Sequence, residues 1–326
     1  MRVFNKALER SSMVEGILCL WFNHHMLSPS PNSSKKAFSR VALVGKFQAD
    51  GIDQHLRELA KLVSGLGCEV FIEASTATQL SIKDYPIKNA EDFAGAIDLV
   101  VVLGGDGTML GIGRQLAGSD VPLVGINMGR LGYMTDIPIQ SVQDTLPKII
   151  AGEYEADTRT LLDAVVIRAG KEMNHALALN DVVVNRSGIS GMVELAVHVN
   201  GSFMYNQRSD GLIVSTPTGS TAYALSAGGP ILHPHVAGIL LAPIAPHSLS
   251  NRPIVLPQDS ATTIEVINGL GVIVNFDMQS QTNLQSGDKI EVRQSKKTIT
   301  FLHPRSHSDY KTLREKLHWN EYPSTF

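Results

Sequence analysis

The chain has 326 residues, with 43% hydrophobic and 18% charged side chains and a formal net charge of −3. That is enough apolar material for one large domain or two modest ones, too little charge for a disordered chain, and no basic excess for nucleic acid. Cys19 and Cys68 have neither CxxC nor metal-type spacing, so a reducing cytoplasm is expected rather than a disulfide framework.

Residues 1–36 stand apart. Their apolar run, 17–22 (ILCLWF), is far short of the roughly 20 residues a membrane span needs. No A-x-A-like site makes it a signal peptide. No membrane association is expected, and the segment reads as a disordered or dispensable extension, with Met13 and Met26 as alternative starts.

From Arg40 a regular alternation begins. Residues 41–44, 69–74, 99–103 and 122–127 read as strands; 52–66, 108–116 and 142–150 have helical spacing. Strand–helix–strand order implies a parallel sheet with ligands at the carboxyl ends of its strands. After about Leu161 the rhythm changes to short strand-like runs at 161–168, 176–186, 193–199, 254–256, 263–267, 272–276 and 289–293, separated by turn signals such as Asn200-Gly201. Helical spacing returns over 309–319. The expected divisions are 37–160 as an α/β domain, 161–295 as a β-rich domain, and 296–326 as a tail packing back on the first.

Nine of the 28 glycines fall between Gly104 and Gly132. Such density means tight turns or backbone that approaches a ligand. Gly104-Gly105-Asp106-Gly107-Thr108 follows an apolar strand and opens a helix, where backbone N–H groups and the helix dipole face an anion. Asp106 among phosphate oxygens makes sense as a metal ligand or as a base taking a hydroxyl proton; the alternative is a helix cap. No Walker A loop, G-x-G-x-x-G, H-E-x-x-H or G-x-S-x-G occurs. Farther on, residues 215–223 (STPTGSTAY) hold six hydroxyl side chains in nine positions. These can donate to phosphate or sugar oxygens, with Tyr223 as a stacking face, or they form an ordinary polar loop.

In combination these segments resemble the NAD kinase family. The resemblance runs from about Arg40 to Trp319 and rests on 103–108 (LGGDGT), 129–133 (GRLGY), 179–183 (LNDVV), 208–212 (RSDGL), 215–223 and 246–253 (PHSLSNRP). GGDGT is shared with lipid kinases and phosphofructokinases, whereas STPTGSTAY after SDGL is far more specific.

The resemblance implies an α/β N-terminal domain with a parallel sheet, a mostly β NAD-binding C-terminal domain and a helical tail. It implies transfer of the γ-phosphoryl of ATP, or of another donor, to the 2′-hydroxyl of the adenosine ribose of NAD. Asp106 would be the base, with Gly105, Gly107 and Thr108 beside it. Asn180 would read the adenine or a phosphate. Asp181, where the family usually has glutamate, would bind ribose hydroxyls. Thr221, Ala222, Tyr223 and Ser226 would form the adenosine-side pocket, with Thr218 as a further nucleotide contact. Asp210, Arg208 and Gln279 would touch the rest of the dinucleotide, Asp210 across a subunit boundary. The family more often has a small residue at Met278.

The expected partners are NAD and ATP in a cytoplasmic homo-oligomer, a dimer or tetramer. Mg²⁺ would arrive with ATP, because it keeps few protein ligands, so no protein metal cage is expected. His233, His235, His303 and His307 are expected to be surface or hydrogen-bonded residues. Two alternatives stay open: a lipid or sugar kinase sharing only GGDGT, and a nucleotide-binding regulator without turnover.

Overall fold

Short apolar runs separated by amphipathic stretches dictate strand–helix alternation in the first half of the chain. The structure, a computed structural model, describes residues 37–45, 51–187 and 191–318. The expectation for residues 1–36 lies outside them, as does Trp319. Strand β1 (Arg40–Gly45) leads to α1 (Ile52–Gly65), β2 (Glu69–Glu73), α2 (Ala74–Gln79) and β3 (Ile87–Lys88). Then come β4 (Leu99–Gly104), α3 (Asp106–Gln115), β5 (Leu123–Asn127), β6 (Ile137–Pro138) and α4 (Val142–Ile150).

β4 is buried at every position. Leu99, Val101 and Leu103 share a core with Leu56 and Val63 of α1 and Leu146 of α4. Val100 and Val102 share the opposite core with Met109 and Ile112 of α3. A parallel strand covered on both faces needs no polar alternation, which is why this run is apolar throughout.

The second half is almost all strand: β7 (Glu155–Arg168), β8 (Lys171–Ala178), β9 (Asp181–Arg186), β10 (Val193–Val199), β11 (Ser202–Ser209) and β12 (Gly211–Ser215). A short α5 (Tyr223–Ser226) precedes β13 (Gly238–Ile244), β14 (Ile254–Pro257), β15 (Thr262–Asn268), β16 (Val272–Phe276), β17 (Ser280–Asn283) and β18 (Lys289–His303), and α6 (Asp309–Leu317) follows. A 12-stranded sheet runs β11-β10-β15-β18-β5-β4-β1-β2-β3, with β6 on β5 and β7–β8 on β18. A six-stranded sheet, β14-β13-β12-β9-β16-β17, faces it. Leu195, Val197, Ile264 and Ile290 from the large sheet meet Val182, Val184, Leu212, Val214 and Phe276 from the small one in a sandwich core.

Two expectations need correction. Strand pairing runs through both expected divisions of the described chain, because β7 begins at Glu155 and β18 continues past 295 until Phe301 pairs in parallel with Leu123 of β5. The expected strand 176–186 is two strands broken at Leu179 and Asn180, whose N–H groups turn instead to Asp277. Residues 211–215, outside the expected strand runs, form β12, where the apolar Leu212-Ile213-Val214 makes a buried central strand of the small sheet. The carboxyl end of β4, the β5–β6 loop, the start of β9 and the segment after β12 carry the polar residues of interest.

Candidate active site

Gly105, in extended backbone, is the N-cap of α3, and Asp106 is the first helical residue. Its carboxylate is directed away from α3. Oδ2 accepts from the Tyr133 N–H at 3.0 Å, and Oδ1 accepts from the Met134 N–H at 3.0 Å and the Thr135 hydroxyl at 3.3 Å. Lys316 Nζ of α6 donates to Oδ2 at 2.6 Å. Burial opposes the charge of Asp106, but the Lys316 ammonium and the two N–H groups outweigh it and hold the group below the usual carboxylate range. Asp106 therefore stays ionised at neutral pH and does not act as the cap. Gly132 makes this cradle possible, since a Cβ there would strike the Asp106 carboxyl and the Thr135 hydroxyl.

A second carboxylate cluster lies where β16 ends. Asp277 accepts N–H bonds from Leu179, Asn180 and Asp181 at 2.9, 2.7 and 3.1 Å, and pairs with Arg114 of α3 at 3.1 Å. Arg114 also donates to Gln279 Oε1, whose amide nitrogen donates to the Gly107 carbonyl at 2.6 Å. Gln279 is thereby tied to the GGDG segment. Asp277 and Met278 both have positive φ, 52° and 54°, a conformation in which a side chain is strained. A glycine at 278 would relieve that strain.

Asp181 is 2% exposed, and its Oδ1 has no hydrogen-bond partner. Burial and the charge of Asp277 push its carboxyl up to about 7. Burial also raises Asp277, with three N–H groups and Arg114 opposing the shift. A raised carboxyl leaves stability intact below its unfolded value of about 3.9 and erodes it as pH climbs to about 7. Asp181→Asn is accordingly expected to be more stable than the parent at about pH 8, by on the order of 2–4 kcal/mol, and nearly equal at about pH 4. Denaturant melts at the two pH values check this; a gap that does not grow with pH contradicts it.

The STPTGSTAY segment folds as a tight turn against Asn180. Thr216 Oγ1 donates to the Leu179 carbonyl at 2.6 Å and accepts from the Gly219 N–H at 3.0 Å. Gly219 packs so closely on the Asn180 carbonyl that no Cβ fits there. Thr221 donates to the Thr218 carbonyl, and Ala222 leads into α5, which carries Tyr223 and ends at Ser226. Tyr133, next to the Asp106 cradle, shares a cleft of about 260 Å³ with Thr218, Thr221, Leu232 and Tyr310. Arg159 anchors its floor, donating to Thr218 Oγ1 at 3.1 Å and pairing with Asp157. Arg159 has no local sequence signal.

The remaining site residues lie elsewhere. Arg208 pairs with Glu194 at 3.3 Å and lines a separate hollow with Tyr205, His247 and Asn251. Asp210 pairs with Arg186 at 3.1 Å. Thr108 is held within the first turn of α3, its N–H on the Gly105 carbonyl.

Asp136, His303 and His307 bring three ligand-type side chains together, their ligand atoms within 4.8 Å of one another. The two imidazoles stack at 4.0 Å with planes 20° apart, and both turn Nδ1 toward the same carboxylate. Both Nδ1 atoms bond Asp136 Oδ2, at 2.9 and 2.7 Å. The cluster is an ion-pair latch at the entry to α6. Burial lowers the His307 imidazole, but Asp136 and Asp309 overcome it and raise the group to about 9. Its contribution is complete below the unfolded value of about 6.5 and is lost as pH rises through about 9. Between about pH 7 and pH 10 the parent's Tm is expected to fall by roughly 2–4 °C more than that of His307→Phe. Parallel melting curves would contradict the latch.

An ionised carboxylate at the carboxyl end of a parallel strand, beside a cleft that carries the hydroxyls of Tyr133, Thr218, Thr221 and Tyr310, is the arrangement expected of a phosphotransferase acting on an alcohol. Residues 41–154 match the family model of the ATP-NAD kinase N-terminal domain, and residues 179–303 that of the ATP-NAD kinase C-terminal domain. The NAD kinase of Cupriavidus pinatubonensis is 59% identical over 300 residues, covering 92% of this chain and 98% of that protein. That of Burkholderia thailandensis is 60% identical over 287 residues, 88% and 96% of the two chains. Yeast NADH kinase complexed with NADH superposes with a TM-score of 0.80 at 25% identity, covering 92% of this chain and 95% of the other. The Archaeoglobus fulgidus NAD kinase in complex with ATP gives 0.69 at 26% identity, covering 86% and 98%. The chain belongs to the ATP-NAD kinase family.

Proposed function

We infer that the chain converts NAD to NADP by setting Asp106 against the 2′-hydroxyl of the adenosine ribose, with ATP as donor. The observation that carries this reading is the cradle at the end of β4, which keeps one carboxylate ionised and aimed away from its own helix. The hydroxyl oxygen bonds to the γ-phosphorus as the bond to the bridging oxygen breaks. Its proton passes to Asp106 and then to water, so that NAD and ATP yield NADP, ADP and a proton. A placed base contributes about 10²–10⁴-fold, and alignment supplies much of the rest.

In this reading Gly105, Gly107 and Thr108 face phosphate oxygens. Asn180, Asp181, Thr218, Thr221, Ala222, Tyr223 and Ser226 hold the adenosine, and Gln279 holds a further part of the dinucleotide. Asp181 Oδ1 is buried without a hydrogen-bond partner, which supports a ribose hydroxyl as the missing one. Arg208 and Asp210, remote from the cleft, suit a contact with NAD bound by a neighbouring subunit. A homo-oligomer is our reading, in line with such a contact across subunits.

A divalent cation, Mg²⁺ by its preference for phosphate oxygens, would neutralise charge on the ATP phosphates. The groups around Asp106 are N–H, hydroxyl and ammonium donors. They fit a proton acceptor and not a cation, so the ATP phosphates and water, rather than a protein cage, would hold the metal. Among the described residues no helix is long and apolar enough to cross a membrane; a cytoplasmic location is our reading from the cysteines.

Incubation with NAD and either ATP or polyphosphate, with NADP read by a coupled dehydrogenase, tests donor and acceptor together. NADP from ATP is the expected result. Phosphorylation of a glycerolipid or sugar in place of NAD would overturn it.

A further inference from the structure

The four lone-pair positions of the Asp106 carboxylate are all taken. Oδ1 accepts from Met134 N–H and Thr135 Oγ1, and Oδ2 from Tyr133 N–H and Lys316 Nζ. A carboxylate offers about four such positions. A base with four donors on it has no place for the hydroxyl whose proton it must take.

One donor has to leave, and the four are not equivalent. Tyr133 and Met134 donate from backbone, in a loop closed by the Gly132 N–H on the Thr135 carbonyl at 3.1 Å and packed where the Met134 carbonyl abuts Gly125. Thr135 is fully buried. Lys316 differs: its side chain is 30% exposed and reaches Asp106 from α6, a span of 210 residues along the chain. Its ammonium also lies 4.5 Å from the Tyr133 ring centroid, a cation–π contact that does not depend on the bond to Asp106. It is the one donor that can move without unmaking the loop.

We propose that Lys316 is a positioning residue that gates the base: it occupies the Asp106 Oδ2 position in the free enzyme and yields it to the ribose hydroxyl when NAD binds. This rests on Asp106 being the base. The exchange has a chemical use. While the ammonium is in place it suppresses the proton affinity of Asp106 and keeps the carboxylate ionised. Once it moves aside, the carboxylate becomes the stronger base just as the hydroxyl arrives, and the displaced cation stays beside a site where phosphate charge develops. The titratable groups facing Asp106 are Lys316 from α6 and Tyr133 from the β5–β6 loop. Burial and the Asp106 charge push the Tyr133 phenol up to about 12, so it remains neutral.

The test is the pH dependence of kcat/KM for NAD and of kcat, from about pH 5 to pH 9, in the full chain, Lys316→Met and Lys316→Arg. The first parameter reports the free enzyme and the second the enzyme with substrates bound. The gate predicts that in Lys316→Met the acid limb of kcat/KM moves up by about one unit while the acid limb of kcat stays where it is. Lys316→Arg should restore the parent kcat/KM limb. Titration of Asp181 is common to all three proteins and drops out of the comparison.

Movement of both limbs would mean a static ion pair, and movement of neither would mean that Lys316 only docks α6; either overturns the gate. Thermal melts and NAD calorimetry establish that each variant is folded, and Lys316→Gln replaces Lys316→Met if the latter is not. Absence of NADP formation by the parent chain would remove the base assignment and the gate together, whereas parent turnover with unmoved limbs removes the gate alone.

Discussion

Asp106→Asn is expected to lower kcat by about 10²–10⁴-fold while NAD affinity stays within a few fold. The amide has nearly the volume of the carboxylate, so the β5–β6 loop can stay in place, but it cannot take a proton from a hydroxyl. The substitution also puts an NH₂ group among donors. Whichever way the amide turns, its nitrogen meets either the Tyr133 N–H and the Lys316 ammonium, or the Met134 N–H and the Thr135 hydroxyl. A stability loss of about 1–3 kcal/mol should accompany the loss of rate. Steady-state kinetics with a parallel melt separates the two effects: a folded variant with parent-like turnover removes Asp106 from the chemistry.

Gly132→Ala is expected to cost nearly as much activity from outside the reacting groups. Its Cβ would occupy the space of the Asp106 carboxyl and the Thr135 hydroxyl, and neither can retreat without breaking a hydrogen bond of the cradle. A displacement of the base by about 1 Å is enough for a loss near 10²-fold. Because the collision involves the base and not the dinucleotide cleft, kcat should fall and KM for NAD should change little. The reverse pattern, an intact kcat with a raised KM, would show that Gly132 serves binding.

Local pattern carried much of this fold. The unbroken apolar run of β4 followed by Gly-Gly-Asp announced a covered parallel strand with a reactive end, and α1 followed from the spacing of Leu56, Leu59 and Val63. The second half of β18 was not legible, because its sequence, QSKKTITFLH, is polar where it leaves the sandwich and gains a central place only by pairing with β5. The site divides in the same way. Asp106, Asn180 and the STPTGSTAY turn sit in dense local motifs. Lys316 meets Asp106 across 210 residues, and His303 meets Asp136 across 167; no window of sequence contains such a pair. Asp277 was within reach: like Asp106, it is an aspartate at the end of a buried strand, and three N–H groups converge on it.

The most direct test of the assignment is the position of the new phosphate. The full chain is incubated with NAD, ATP and Mg²⁺, and the dinucleotide product is resolved by mass and by phosphorus NMR, with ADP quantified alongside. One phosphate on the adenosine ribose 2′-oxygen, matched one to one by ADP and absent with Asp106→Asn, is the expected result. Phosphate at another oxygen, or the same yield from the Asp106 variant, would contradict it.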